Sequence, residues 1–264
     1  MRGRNILAAL VLGAGSVAVA AEPPPVCADR PGKATGTCLV PDGHWQIETG
    51  LAGWTLQRDG SERDTSLSIG ETTIKYGLTE TSNLEMDLAP WERARSRGPG
   101  LHESTSGFGD INLLFKQRLT SADAPVQVDL LPLVKVPVAK HSLGNGEWEG
   151  ALLVPVGFSI PNTPLSLGLT PELDWSADGD GQGHHSGMTQ VVALGCQVTN
   201  KVNLSAELWG AWDWDPHGTT RQASADAAVA YLVSNDVQLD AGANFGLNRA
   251  TPDVQVYGGV SVRF

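Results

Sequence analysis

The sequence predicts an all-β protein: one antiparallel transmembrane β-barrel of about twelve strands. Three observations point there. Apolar and polar residues alternate along many 8–14-residue segments, the period of a strand with one apolar face. No membrane-length apolar run follows the first twenty residues, although 41% of the 264 residues are hydrophobic. The connections between segments are short after every second segment and mostly longer after the others.

The first element is a leader. Arg2 and Arg4 precede an apolar stretch from Ile6 to Val19, and Ala18-Val19-Ala20 is a small-x-small cleavage site. Residues 1–21 therefore read as a secretory signal peptide. Its removal takes two arginines from a chain already at −11. So acidic a chain repels phosphate backbones, which argues against nucleic-acid binding.

Residues 22–44 form a separate N-terminal segment. Cys27 and Cys38 flank a loop containing Pro31, Gly32 and Gly36, and export to an oxidising compartment favours a local disulfide. Metal binding by this pair lacks further ligands at suitable spacing. Pro23 to Pro25 favours an extended form. The segment could lie in the periplasm or enter the lumen as a plug.

The barrel itself is expected over 45–264. Its strands read at 45–56, 65–76, 83–90, 110–118, 126–138, 150–160, 165–176, 186–199, 202–214, 221–232, 237–247 and 254–264. In 237–247, Val237, Leu239, Ala241, Ala243, Phe245 and Leu247 share one face, with Gln238, Asp240 and Asn244 opposite. In 165–176, Leu165, Leu167, Leu169, Leu173 and Trp175 oppose Ser166, Thr170, Glu172 and Asp174. Segment 65–76 breaks phase near Glu71, and 150–160 is apolar on both faces. Short turns are expected at the periplasmic side and longer outer loops at 57–64, 91–109, 139–149, 177–185, 215–220 and 248–253. An even strand number puts both termini in the periplasm. The chain ends in Phe264 after an alternating strand, the form of a signal for the barrel assembly machinery.

Period two does not say which face points inward; a soluble periplasmic barrel or sandwich is the alternative. The polar face carries charges of both signs inside strands. Trp45, Trp54, Trp91, Trp175, Trp212, Trp214, Tyr76 and Tyr231 recur near strand ends, as in interfacial girdles. Both features favour the membrane barrel and a bacterial outer-membrane location.

The candidate lumen residues are Asp87, Lys116, Arg118, Asp129, Lys135, Glu172, Asp174, Glu207, Asp226, Asp240 and Arg263. They would line a cation-leaning conduit, or pair with one another as an electrostatic plug. The 91–109 loop, with Arg93, Arg95 and Arg97, would gate the outer face or bind lipopolysaccharide phosphates.

Other features point less far. Five histidines, His102, His141, His184, His185 and His217, fall in predicted outer loops without metal-ligand spacing. Asp178 to Gly183 lacks the Glu that a calcium loop requires, since Thr189 stands at that position. Ser142 and Ser186 neighbour histidines, but no G-x-S-x-G is present, so an outer-membrane hydrolase is the lesser reading. No catalytic residue, cofactor or metal is predicted.

The stretch Gly109-Asp110-Ile111-Asn112-Leu113-Leu114-Phe115-Lys116-Gln117-Arg118-Leu119 resembles the G-D-x-x-L-x-x-K-x-R-L strand of one outer-membrane transporter family. So do Val136-Pro137 with Leu143-Gly144-Asn145-Gly146, and Lys75 to Glu80 followed by Leu84 to Leu88. That family takes its name from the meta-pathway of phenol degradation, and the likeness spans roughly 45–264. It implies uptake of small, hydrophobic or aromatic solutes. The alternative is a closed structural barrel. Expected partners are outer-membrane lipids and lipopolysaccharide, the barrel assembly machinery and a small-molecule solute.

Overall fold

The computed structural model describes residues 24–264; the leader read over 1–21 lies outside the described residues. Sixteen β-segments build the wall: β1 (Trp45–Asp59), β2 (Glu62–Ile69), β3 (Glu71–Thr79), β4 (Ser82–Leu88), β5 (Trp91–Gly98), β6 (Leu101–Gly107), β7 (Ile111–Arg118), β8 (Gln127–Val136), β9 (Glu149–Leu153), β10 (Val156–Ser159), β11 (Leu165–Ala177), β12 (His184–Gln197), β13 (Val202–Asp213), β14 (Thr220–Ser234), β15 (Val237–Gly246) and β16 (Val254–Arg263). Four wall strands are interrupted, so the segments make a closed twelve-stranded antiparallel barrel.

Each interruption has a local cause. Gly70, at φ 76°, separates β2 from β3. Pro90 and Pro155 have no N–H to give the ladder where β4 passes to β5 and β9 to β10. The break between β6 and β7 falls at Phe108-Gly109-Asp110. A Cβ on Gly109 would collide with that of Ala89, so the two breaks pack side by side.

The seam closes β1 on β16, in register from Gln46 opposite Arg263 to Leu56 opposite Val254, with a bulge between Gly50 and Ala52. Phe264 extends it: its N–H donates to the Trp45 carbonyl at 2.9 Å and its carbonyl accepts from Trp45 at 2.8 Å.

Two expected outer loops are strand instead. Residues 57–64 continue β1 and β2 to a tight turn at Gly60-Ser61, and 91–109 is mostly the β5–β6 hairpin, turned at Pro99-Gly100. Polar side chains dominate these extensions, so apolar periodicity does not reveal them. The loops at 137–148, 178–183, 214–219 and 247–253 share the end of the barrel that carries those two turns; at the other end the turns are shorter except 119–126.

The faces answer the membrane question. Leu84, Leu113, Phe115, Leu173, Leu204, Leu208, Leu239 and Phe245 are exposed, whereas Gln46, Glu48, Lys75, Lys116, Asp129, Thr170, Asp226 and Ser261 are buried. A soluble barrel would have the reverse arrangement. An apolar exterior around a charged interior is an outer-membrane barrel.

Candidate functional site: the divided lumen

Residues 29–37 meet inward side chains from all round the wall, which places this stretch inside the barrel, while the ends of the 24–44 segment bond residues at the barrel end. Arg263 donates to the Pro24 carbonyl at 2.7 Å, and the Val26 N–H donates to Asn235 at 2.6 Å. Further on, Thr35 N–H donates to Thr170 on β11 at 3.1 Å. The Thr37 carbonyl accepts from Arg118 on β7. The Cys27–Cys38 disulfide closes the loop between these anchors, with Cα atoms 6.1 Å apart.

Three charged residues in that loop complete the wall. Asp29 pairs with Lys75 and, at 3.7 Å, with Lys116. Arg30 pairs with Asp240 at 2.9 Å. Lys33 pairs with Asp226 at 3.2 Å and donates to Ser224 at 2.6 Å. Glu48 accepts the backbone N–H groups of Asp29 and Arg30 at 3.3 and 3.0 Å, and Glu207 accepts those of Lys33 and Ala34 at 2.7 and 3.4 Å. Burying charges is costly unless they are paired and hydrogen-bonded. The segment supplies that pairing.

The expected lumen residues fall into three groups. Lys116, Asp226, Asp240, Glu207, Arg118 and Arg263 touch the N-terminal segment. Arg118 also pairs with Asp129 at 3.3 Å and Arg263 with Asp236 at 2.6 Å. Lys135 pairs within the wall, with Glu149 at 2.5 Å and Asp110 at 3.6 Å. Asp87 accepts from Thr73 at 2.8 Å. Glu172 and Asp174 share the inward face of β11, and neither has a cation partner among the described residues.

Asp29, Arg30, Lys33, Glu48 and Lys75 belong to this site and escaped the sequence reading. A D-R-x-x-K run inside the cysteine loop was the available signal. The compensation for the wall acids lies far away in sequence: Arg30 and Asp240 are 210 residues apart.

The segment leaves space on both sides. A cavity of about 830 Å³ lies toward the short-turn end, bordered by Gly157, Gly168, Ala193, Gly195 and Ser205 among others. A second, about 390 Å³, is lined by Glu48, Glu71, Asp87, Glu92, Asp110 and Lys135 among others. Arg30 lines both. Its guanidinium rests against Gly50 and Gly259, which are cross-strand partners. A Cβ at Gly259 would occupy the guanidinium's place, so glycine is needed for that approach.

At the longer-loop end, His185 stands between Asp178 at 2.8 Å and Asp213 at 2.9 Å. Asp215 accepts the N–H groups of His217 and Gly179 at 2.6 and 2.7 Å, tying two loops together. Those backbone donors, His217 first, hold its carboxyl below the usual carboxylate range. Among the described residues no His, Cys, Asp or Glu group has the arrangement of a metal site. Ser142 bonds Thr105 at 2.7 Å, and Ser186 is paired opposite Trp175 on the exterior-facing row. Neither hydroxyl has a histidine partner among the described residues.

The fold is similar to several solved outer-membrane barrels. The COG4313 outer membrane channel from Pseudomonas putida F1 matches with TM-score 0.67 and 16% identity, over 89% of this chain and 99% of that one. The NanC porin matches with TM-score 0.53 and 10% identity, over 83% and 98%. The translocator domain of the autotransporter NalP from Neisseria meningitidis matches with TM-score 0.53 and 15% identity, over 84% and 88%. No curated protein matches the chain. One family model does match, over residues 28–264, and the chain therefore belongs to the family described as "Putative MetA-pathway of phenol degradation".

Proposed function

We propose that this protein is an outer-membrane channel for passive or facilitated uptake of small, hydrophobic or aromatic solutes. In this reading the longer loops face outward, the short turns and both termini face the periplasm, and residues 24–44 are a plug. The carrying observation is the divided lumen: two cavities meet at Arg30, and the segment between them is held by side-chain contacts rather than by strand pairing. Such contacts can be released one at a time. The larger cavity has the volume of a small-ligand site. The family name supports an aromatic solute.

A closed structural barrel is the second reading, favoured by how completely the segment's charges are paired. Planar-bilayer conductance separates the two. A channel gives discrete current steps and flux of a phenolic solute into liposomes. Silence in both assays, for the parent chain and for a chain lacking residues 24–44, sinks the channel reading. Partnership with the barrel assembly machinery, through the strand ending at Phe264, belongs to the same proposal.

A further inference from the structure

One outward face carries an uncompensated row of positive charge. The register sets Arg58 opposite Arg63, Arg63 opposite Arg97 and Arg97 opposite His102, across β1, β2, β5 and β6. Arg95 and Arg93 follow on the same face in the next two rows. Strand alternation sends the acids the other way: Asp59, Glu62, Asp64, Glu92 and Glu103 share the opposite face. Glu92 lines the inner cavity, so the acidic face is inward and the arginine face outward.

Like charges directly opposite on neighbouring strands destabilise a sheet. Yet none of these five arginines is in an ion pair among the described residues. The nearest relief is one hydrogen bond from Arg93 to Ser104 at 3.3 Å. Guanidinium groups so arranged fit a shared external anion, above all phosphate.

Height on the wall narrows the choice. Ile69 and Trp91 sit opposite each other on the same outward face. They are apolar, and the first arginine lies two residues beyond Trp91, about 7 Å further along the strand. The charges therefore begin at the edge of the apolar belt, where Arg93 and Arg95 share rows with Trp54, Leu67 and Leu56, and fill the next row entirely, at headgroup level. The top row crosses three strand spacings, about 14 Å. A single phosphate cannot neutralise that width; a headgroup with two separated phosphates can.

We propose that this face binds the phosphorylated sugar headgroup of an outer-leaflet glycolipid. It rests on the reading that the longer-loop end faces outward. The arginines then serve as a lipid anchor rather than as a gate, because they point away from the lumen.

The test uses the full chain in phosphatidylcholine vesicles doped with bisphosphorylated lipid A, with its dephosphorylated form, or with inorganic phosphate in free solution. Expected are retention of bisphosphorylated lipid A through purification and a raised melting temperature. Arg63→Gln with Arg97→Gln should weaken retention about 25-fold, near fivefold per arginine. Arg221→Gln, opposite Trp212 outside the patch, should retain the parent's affinity. Each variant's fold is checked by gel mobility with and without boiling. The proposal is overturned if dephosphorylated lipid A is retained equally, if free phosphate gives the same shift, or if the double variant binds unchanged. Orientation is read separately, by labelling Ser61→Cys and Asn235→Cys on intact cells with an impermeant maleimide. Labelling only Asn235→Cys would refute the orientation whatever the vesicles show. Conductance, read on the same samples, tests the channel reading independently of both.

Discussion

Arg30 holds Asp240 with two parallel hydrogen bonds, Nη2 to Oδ1 at 2.9 Å and Nε to Oδ2 at 3.3 Å. A residue of the N-terminal segment thereby grips β15, the last wall strand but one. The same residue lines both lumen cavities. Arg30 is at once an anchor of the N-terminal segment and a lining residue of both spaces.

Arg30→Ala should therefore raise single-channel conductance, because it shortens the one side chain that lines both cavities and leaves the strand pairing intact. Asp240→Asn should do so less, since the guanidinium stays in place with a weaker partner. Both are read in planar bilayers. Equal conductance in all three proteins would place the permeation path elsewhere.

Glu48 and Lys75 are buried, with Lys75 2.5 Å from Glu48, and the half-buried Asp29 pairs with the same Lys75. Lys75→Met leaves both acids without that cation. Removing one partner of a buried pair costs about 3–5 kcal/mol. The urea midpoint of the lipid-reconstituted barrel should fall accordingly, and adding Glu48→Gln should recover part of the loss. A strictly additive double variant would show that the two side chains do not interact.

Replacing Cys27 and Cys38 with Ser should loosen the segment without unmaking the wall. A loop of 11 residues' separation is worth about 3 kcal/mol in chain entropy. Trypsin should then cleave after Lys33 faster, while gel mobility of the unboiled barrel stays that of the parent. Cleavage no faster than in the parent would mean that the polar contacts alone hold the segment.

Asp215 offers a pH-dependent loop contact. Its carboxyl is lowered in the folded loops by the His217 and Gly179 N–H groups. A lowered folded-state value contributes stability above the ordinary carboxylate pKa, and that contribution is lost as pH falls through the lowered one. The amide proton signal of Gly179 should shift below about pH 4. Asp215→Asn should abolish that titration; its persistence would assign it to another acid.

Leu208 is exposed on β13 among apolar outward residues. Leu208 is at the middle of β13, and Leu208→Arg should cost about 2–4 kcal/mol of folding free energy in bilayers. Glu207, its neighbour, faces inward to the N-terminal segment. A neutral Leu208→Arg would argue that this face does not meet lipid.

The period-two pattern carried much of the architecture. Segments such as 202–214 and 237–247 announce their two faces because each residue's side is set locally by the pleat. The expected lumen residues share the polar face for the same reason, and the burial of Lys116, Asp129 and Asp226 among them shows that this face is the inner one. The extensions of β2, β5 and β6 were illegible by that criterion, because both of their faces are largely polar and no apolar stripe marks them. The arginines of β5 were expected either to gate the outer face or to bind lipopolysaccharide phosphates; alternation turns them outward once the hairpin is recognised as part of the wall, which leaves the second.

By itself the sequence determined the strand alternation, the paired cysteines and an acid-rich polar face, all of which follow from spacing along the chain. Only the tertiary structure decided where the compensating cations come from. Arg30 meets Asp240 and Lys33 meets Asp226 across the closed barrel. Barrel closure creates those meetings: residues about two hundred positions apart become neighbours when β1 zips to β16 around the N-terminal segment. The register likewise assembled Arg58, Arg63, Arg97 and His102 into one row, because cross-strand partners are set by hydrogen bonding between strands and not by spacing within one.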